Sequence, residues 1–191
     1  MRNPGEVIDF WLNDVGPVGW YAGGEDLDAT IREKFLTTWQ AAKAGKLKSW
    51  TYHHDSTLAL LILLDQFSRN IFRGSSDAFS VDSMARKIAK KAIEQKWDLR
   101  VPEPQRQFFY LPLMHSECLS DQERCVCLMM TRMPETGKSN LIHAKAHREV
   151  IRKFGRFPFR NEALSRSGTE PEMAFLASGG YKTTVAAVSA H

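Results

Sequence analysis

Apolar residues recur along most of the chain at the three- and four-residue spacing of amphipathic helices. Ile31, Phe35 and Trp39 follow this spacing in a segment that we expect to be helical from about Asp28 to Ala44. No stretch of useful length alternates apolar and polar residues as a half-buried strand does. The pattern therefore predicts an all-α protein of antiparallel helical hairpins joined by short loops.

Further helices are expected where capping residues and helix breakers bracket an apolar stripe. The capping-box spacing of Ser120 to Glu123 predicts a helix start, and Thr169 to Glu172 repeats it. Gly155 is well placed to end the helix before it. The remaining helices are predicted at about Val7–Leu12, Ser80–Trp97, Arg106–Leu111 and Asn140–Phe154.

One predicted helix is apolar on every side. Between Ser56 and about Arg69, apolar side chains cover all directions around the axis, which is typical of a helix in the centre of a domain. Asp65 interrupts this surface, and Arg69 follows at the i+4 spacing at which opposite charges pair. A structural salt bridge and a ligand-facing carboxylate both stay open for Asp65.

Length and composition fit one folded domain. The chain has 191 residues, 43% hydrophobic and 25% charged, which excludes a wholly disordered protein. We expect a single domain over residues 1–178 and a tail at 179–191 that is flexible or at best partly ordered. The start does not resemble a secretion signal, no apolar run is long enough to span a bilayer, and three cysteines suggest no disulfide framework. These features favour a cytoplasmic protein without a membrane partner.

Charge along the chain is uneven, although the formal net charge is only +4. The segment from 145 to 166 is strongly basic, so an anionic partner is conceivable there. On a helical projection, however, Lys145, Arg148 and Arg152 fall on the outward face, as in an ordinary solvated stripe. A nucleic-acid partner is therefore not expected.

Histidines and acids form the candidate catalytic set. His115 and Glu117 follow Pro112, whose kink can aim side chains into a cleft. His143 and His147 lie four residues apart on the inward face of a predicted helix. Purely structural histidines are the alternative. The candidate catalytic residues are Asp65, His115, Glu117 and His147.

The same histidines are also candidate ligands of a metal ion. The i, i+4 pair could chelate a divalent ion, with His115 or Glu117 completing the shell. The HExxH signature is absent because Ala144 takes the place of the glutamate. We predict neither a metal site nor a bound cofactor.

Arginines beside aromatic residues form the candidate ligand-binding set. Arg156 and Arg160 flank Phe157-Pro158-Phe159, and such a pair could bind carboxylate or phosphate bidentately. They could equally hold helix C-termini, or pair with Asp65 and Glu117 inside the fold. The full set of candidate ligand- or anion-binding residues is Arg69, Asn70, Arg73, Arg156, Arg160 and Asn161.

Three motifs together resemble the signatures of one family. They run from Leu63 to Gly74 (LLDQFSRNIFRG), from Phe109 to Glu117 (FYLPLMHSE) and from Phe154 to Asn161 (FGRFPFRN). In this order, over about residues 5–178, they look like the bacterial domain-of-unknown-function family 924, DUF924. The resemblance implies a fold like that of tetratricopeptide-repeat (TPR) proteins, a right-handed superhelix of antiparallel helices, and no assigned activity. The motif residues it marks, without a stated role, are Asp65, Arg69, Asn70, Arg73, His115, Glu117, His147, Arg156, Arg160 and Asn161.

Two positions depart from the pattern of that family. Phe159 stands where histidine is common, and Ser165 where a glycine before arginine is common.

Two functional hypotheses stay open. One is a helical scaffold that holds a peptide or another protein in a groove. The other is a small enzyme or anion-binding protein, whose candidate acids, histidines and arginines surround a pocket.

Overall fold

The computed structural model describes residues 1–190, and this part of the chain is helical without a strand. The predicted all-α class is therefore confirmed, while the TPR-like superhelix stays a prediction. The α-helices are α1 (Pro4–Ile8), α2 (Gly16–Gly19), α3 (Glu25–Lys43), α4 (His54–Leu61), α5 (Ser68–Ile71), α6 (Asp82–Glu94), α7 (Leu111–Met114), α8 (Leu119–Arg132), α9 (Lys138–Phe154), α10 (Glu170–Ala177) and α11 (Gly180–Ser189).

Shorter helical segments complete the secondary structure. Two segments are π-helical, Asp9–Val15 and Ile62–Phe67. The 3₁₀ segments are Lys48–Tyr52, Ser76–Phe79, Asp98–Arg100, Gln105–Phe109 and Pro158–Arg160. The predicted aromatic helix at 106–111 is thus a 3₁₀ segment followed by α7, because Pro112 limits regular α-helix there.

The chain divides into two compact units, residues 1–112 and residues 113 onward. Unit 1 is built around one long helix in which α4, a π-helical segment and α5 follow without a break. Every residue from Thr57 to Ser68 on this helix is buried, as the all-round apolar pattern predicted. The ring of Phe67 lies 4.7 Å from that of Phe35 and 5.3 Å from that of Trp11. Each buried aromatic side chain of this kind stabilises the core by about 1.5–3 kcal/mol.

Unit 2 contains α8 to α11. Helices α8 and α9 are joined by a short loop and pack against each other. Glu123 near the start of α8 pairs with Arg148 and Arg152 near the end of α9, so the two helices run antiparallel. The apolar core of this unit is formed by Val150, Ile151, Phe157 and Phe175, with Phe154 and Tyr181 packed against it.

The observed ends of α8, α9 and α10 can be compared with the predicted capping residues. Gly155 closes α9 in the left-handed conformation, with φ of +69°, and the Thr169–Glu172 capping box opens α10; both predictions are confirmed. The prediction that a capping box at Ser120 opens a helix is wrong, because α8 already begins at Leu119. The hydroxyl of Ser120 instead lies 3.1 Å from Sγ of Cys118, inside the first turn.

The C-terminal segment differs from the flexible tail expected at 179–191. Gly180–Ser189 forms α11, which packs on α9; His191 lies outside the described residues. Gly179 and Gly180 both have positive φ, of +100° and +55°, and so allow the chain to turn sharply between α10 and α11. Tyr181, Val185 and Val188 then recur at helical spacing and give the segment a partly buried face.

Candidate functional site

The first motif, in unit 1, is held in ion pairs. The carboxylate of Asp65 is 1% exposed and lies 3.3 Å from the guanidinium of Arg69. That guanidinium also donates to both carboxylate oxygens of Asp82, at 3.2 and 3.1 Å. Burial alone would lower the pKa of Arg69, but the two carboxylates raise it overall. Asp65 and Arg69 therefore act as a structural ion network that anchors the central helix to α6.

The second part of that motif ties the end of the same helix to α3. Arg73 donates from Nε and Nη2 to the carboxylate of Asp28, at 2.5 and 2.9 Å. Nδ2 of Asn70 donates to the same carboxylate at 2.8 Å. The hydrogen bonds from Arg73 and then Asn70 lower the pKa of Asp28, although burial opposes them. Asn70 and Arg73 have the geometry of helix-to-helix contacts.

Glu117 in unit 2 is also engaged by the protein. Its two carboxylate oxygens each accept a hydrogen bond from Arg166 at 2.9 Å, and one also accepts the backbone N–H of Phe157 at 2.9 Å. Burial alone would raise the pKa of Glu117, but the bonds from Arg166 and Phe157 lower it below its usual value. The partner is Arg166, a residue outside the predicted set.

Arg156 pairs within unit 2 with Glu172, which the sequence predicts only as part of a capping box. Its Nε and Nη2 donate to the carboxylate of Glu172, at 2.6 and 2.7 Å. Asn161 donates to the same carboxylate at 3.4 Å. The bonds from Arg156 and from the Thr169 backbone lower the pKa of Glu172 to about 2. Arg156 and Asn161 thus fasten the start of α10.

The remaining candidates of unit 2 meet in one place. The rings of His115 and His147 lie 6.1 Å apart, and that of Tyr181 lies 4.7 Å from His147. All three side chains, and that of His143, are partly exposed. Arg160 lies over the ring of Phe157 at 4.4 Å, and its charge helps to lower the pKa of His147. We call His115, His143, His147, Arg160 and Tyr181 the His147 centre.

Hydrogen bonds fix the tautomer of His147. Nδ1 lies 2.9 Å from the backbone oxygen of His143, and because a carbonyl only accepts, Nδ1 must carry the proton. The same Nδ1 lies 2.9 Å from the hydroxyl of Tyr181, which in turn lies 2.8 Å from Nδ1 of His143. The phenol therefore accepts from His147 and donates to His143. Nε2 of His147 is left with a lone pair, and no group within residues 1–190 bonds to it.

The surroundings of His147 keep it neutral. Burial first, and then the neighbouring charges of His115, Arg160 and His143, lower the pKa of His147 to about 3. Burial also lowers the pKa of His143 and raises that of Tyr181. At neutral pH the centre thus presents an uncharged, partly exposed imidazole whose Nε2 has no hydrogen bond within residues 1–190.

Phe159 lies at the edge of this centre. Its side chain is 42% exposed, and its ring lies 5.2 Å from that of Phe157 and 6.0 Å from that of Tyr181. This is the position at which the resemblance led us to expect a histidine. The departure therefore places an apolar, solvent-facing ring beside Tyr181.

A family comparison agrees with the three motifs. Residues 7–180 match the family model described as a bacterial protein of unknown function, DUF924. The chain belongs to the DUF924 family. A solved structure is similar to the whole fold. The protein of unknown function ATU0120 from Agrobacterium tumefaciens is 37% identical, with a TM-score of 0.85 over 91% of this chain and 96% of that one. No curated protein matches this DUF924 member.

A cluster of potential metal ligands lies in unit 1 of this DUF924 member. Within residues 1–190, the cluster whose ligand atoms lie close enough to share an ion is His53, His54 and Asp55, at the surface of unit 1. It does not include His143 or His147, whose Nδ1 atoms both face Tyr181. No helix in this part of the chain combines the length and the apolar character that a bilayer span requires.

Sequence reasoning missed the partners more than the motif residues. Asp28, Asp82, Arg166 and Glu172 lie far along the chain from the residues they neutralise, so no local pattern pointed to them. Tyr181 was missed because its segment was interpreted as a tail. The apolar spacing from Tyr181 through Val188 after two glycines is a helix signal that could have found it.

Proposed function

We propose that the protein binds a small anion carrying a hydrogen-bond donor, and that the His147 centre is the binding site. The observation that carries the proposal is the lone pair on Nε2 of His147, which no group within residues 1–190 satisfies. The imidazole is held in one tautomer by the His143 backbone and Tyr181. A fixed acceptor of this kind selects ligands that donate a hydrogen bond.

Charge around the centre favours an anion. Besides Arg160, the adjoining pairs are Arg166 with Glu117 and Arg156 with Glu172. The charge of Arg160 disfavours protonation of His147, and a positive field of this kind attracts small anions.

The low pKa of His147 favours binding over general-base catalysis. A general base is most effective when its pKa lies near the working pH. With a pKa of about 3, His147 accepts a hydrogen bond at pH 7 but is a weak base for taking up a proton. The centre is therefore better suited to holding a ligand than to removing its proton.

The cellular location belongs to the same proposal. Cys118, Cys125 and Cys127 are free thiols. Free thiols are typical of the reducing cytoplasm, where we place the protein. A small polar metabolite is a suitable ligand in that compartment.

The proposal predicts a difference between two closely related probes. Glycolate carries a carboxylate and a hydroxyl donor, whereas acetate lacks the hydroxyl. Glycolate at ten times its dissociation constant stabilises the folded state by about 1.4 kcal/mol, which raises Tm by roughly 3–5 °C. Acetate should raise Tm clearly less. A thermal-shift titration checks this.

A matched pair of variants assigns the effect to the site. His147→Phe removes the acceptor nitrogen, and the glycolate shift should disappear. His54→Phe makes the same change in unit 1 and should leave the shift intact. Circular dichroism confirms that each variant is folded. Equal shifts for the two probes, or a shift that survives in folded His147→Phe, would contradict the proposal.

A further inference from the structure

Unit 2 contains a second concave feature, a groove of about 710 Å³ bordered by α9, α10 and α11. Val150, Phe154 and Phe175 line it from α9 and α10. Ala187 and Val188 line it from α11. Val150 and Phe175 are themselves buried, so the apolar surface that a partner can remove from water, with a gain in free energy, belongs to Phe154, Ala187 and Val188.

The hydroxyl groups along the groove are turned to their own backbone. Thr183 and Thr184 donate to the carbonyl oxygen of Gly180, at 2.8 and 3.4 Å. Ser178 donates to the carbonyl oxygen of Phe175 at 2.9 Å. These residues therefore offer no free donor to an occupant, and the walls recognise shape rather than hydrogen-bonding pattern.

The charged residues of the groove separate into a neutralised group and a free group. Arg148 is paired with Glu123 and Glu149, at 3.3 and 3.1 Å. Lys145 and Lys153 have no ion pair within residues 1–190. Nζ of Lys153 lies 5.1 Å from the centre of the Phe154 ring, so the ammonium stands directly beside the apolar floor.

The distance between Lys145 and Lys153 decides which class of anion can pair with both. Lys145 and Lys153 are eight residues apart on α9, which places them about 12 Å apart along the axis. An anionic amphiphile with one head group, such as a fatty acid, can satisfy one of them. A peptide with two acidic residues on either side of apolar ones can satisfy both. A nucleic acid would need many more phosphate contacts than two lysines supply.

We propose that this groove binds an acidic amphipathic helix of a partner protein, two to three turns long. Its apolar face would cover the accessible side chains of Phe154, Ala187 and Val188, and acidic residues at its two ends would pair with Lys145 and Lys153. This is the helix-in-groove mode of peptide recognition. The groove is a different surface from the His147 centre, so the proposal does not rest on the small-ligand function.

A designed probe tests the proposal. The probe is a fluorescein-labelled helical peptide of fourteen residues, whose central two to three turns carry leucine on one face and two glutamates eight residues apart. A second peptide carries glutamine in place of both glutamates. The full-length protein should bind the glutamate peptide about tenfold more tightly in fluorescence anisotropy, and 0.5 M NaCl should remove most of that difference.

Variants of the protein locate the binding surface. Lys153→Glu and Lys145→Glu should each weaken binding of the glutamate peptide about five- to tenfold. Ala187→Trp should block the groove without changing its charge. Lys138→Glu makes the same charge reversal on α9 outside the groove, and should leave binding within about twofold of the wild type.

Four results would overturn the proposal. They are no binding of either peptide, equal binding of the two peptides, equal loss in Lys138→Glu and Lys153→Glu, and undiminished binding in Ala187→Trp. Phosphatidylglycerol vesicles serve as the competing occupant. If the groove variants abolish vesicle binding while the peptide does not bind, the groove is a lipid surface and the proposal is wrong.

Discussion

Ser165 adopts a left-handed backbone conformation, with φ of +51°. A side chain in this region costs free energy that glycine avoids, which fits the glycine that the resemblance to the family implies at this position. We expect Ser165→Gly to raise the free energy of unfolding by about 0.5–1 kcal/mol, measured by urea denaturation. Ser167→Gly is the control, because that residue has an ordinary negative φ, and it should be neutral or destabilising. A loss of stability in Ser165→Gly would contradict this account.

His147 makes stability depend on pH. Its pKa is lowered from 6.5 to about 3 in the folded protein, so the unfolded chain takes up a proton first as the pH falls. Stability is fully present above pH 6.5 and is lost progressively below it, by about 2 kcal/mol between pH 7 and pH 5. Burial of His143 acts in the same direction. Denaturation at several pH values should show this fall, and a clearly smaller fall in His147→Phe. Identical slopes for the two proteins would be evidence against a neutral His147.

Two arginines of the first motif should differ in their contribution to stability. Arg69→Met removes the guanidinium that pairs with the buried carboxylate of Asp65, and should cost about 2–4 kcal/mol. Arg73→Met breaks a pair whose arginine is 57% exposed, and should cost less than about 1 kcal/mol. Chemical denaturation measures both. Similar losses would mean that the Asp65 network is not the anchor of the central helix.

At the scale of elements, α11 depends on a few contacts with α9. The hydroxyl of Tyr181 is the only group within residues 1–190 that bonds to Nδ1 of His143. Tyr181→Phe removes that bond and should cost about 1–2 kcal/mol. Hydrogen exchange should then speed up across α11 and leave α3 unchanged. Tyr52→Phe alters an exposed tyrosine and serves as the control. Unchanged exchange in α11 would show that the hydroxyl does not hold this helix.

Helices were predictable where a single stretch of sequence contains the apolar pattern or the terminating residue that defines them. The all-round apolar run from Leu58 to Phe67 indicated the central helix, and Gly155 indicated the end of α9. The π-helical turn at Ile62–Phe67 was not predictable, because packing rather than local sequence selects it. In the candidate site too, residues within a local motif were predictable, whereas residues brought in by tertiary contact were not. His115 and His147 were found from their motifs, but Tyr181 acquires its role only through tertiary contact.

At the scale of the whole molecule, the sequence predicts one domain over residues 1–178. All five tryptophans lie in unit 1, so their fluorescence reports on residues 1–112, whereas far-ultraviolet circular dichroism reports on both units. A single cooperative domain predicts that the two urea transitions coincide. Separate midpoints would show instead that the units unfold independently.

The central claim is that His147 is a neutral acceptor with a free Nε2. Nitrogen-15 NMR of the histidine side chains tests it most directly, because protonated and unprotonated ring nitrogens have distinct shifts. At pH 5 we expect His147 to carry its proton on Nδ1, to be uncharged, and to show a shift of Nε2 when glycolate is added. A His147 that titrates near pH 6.5, or that carries its proton on Nε2, would contradict the account.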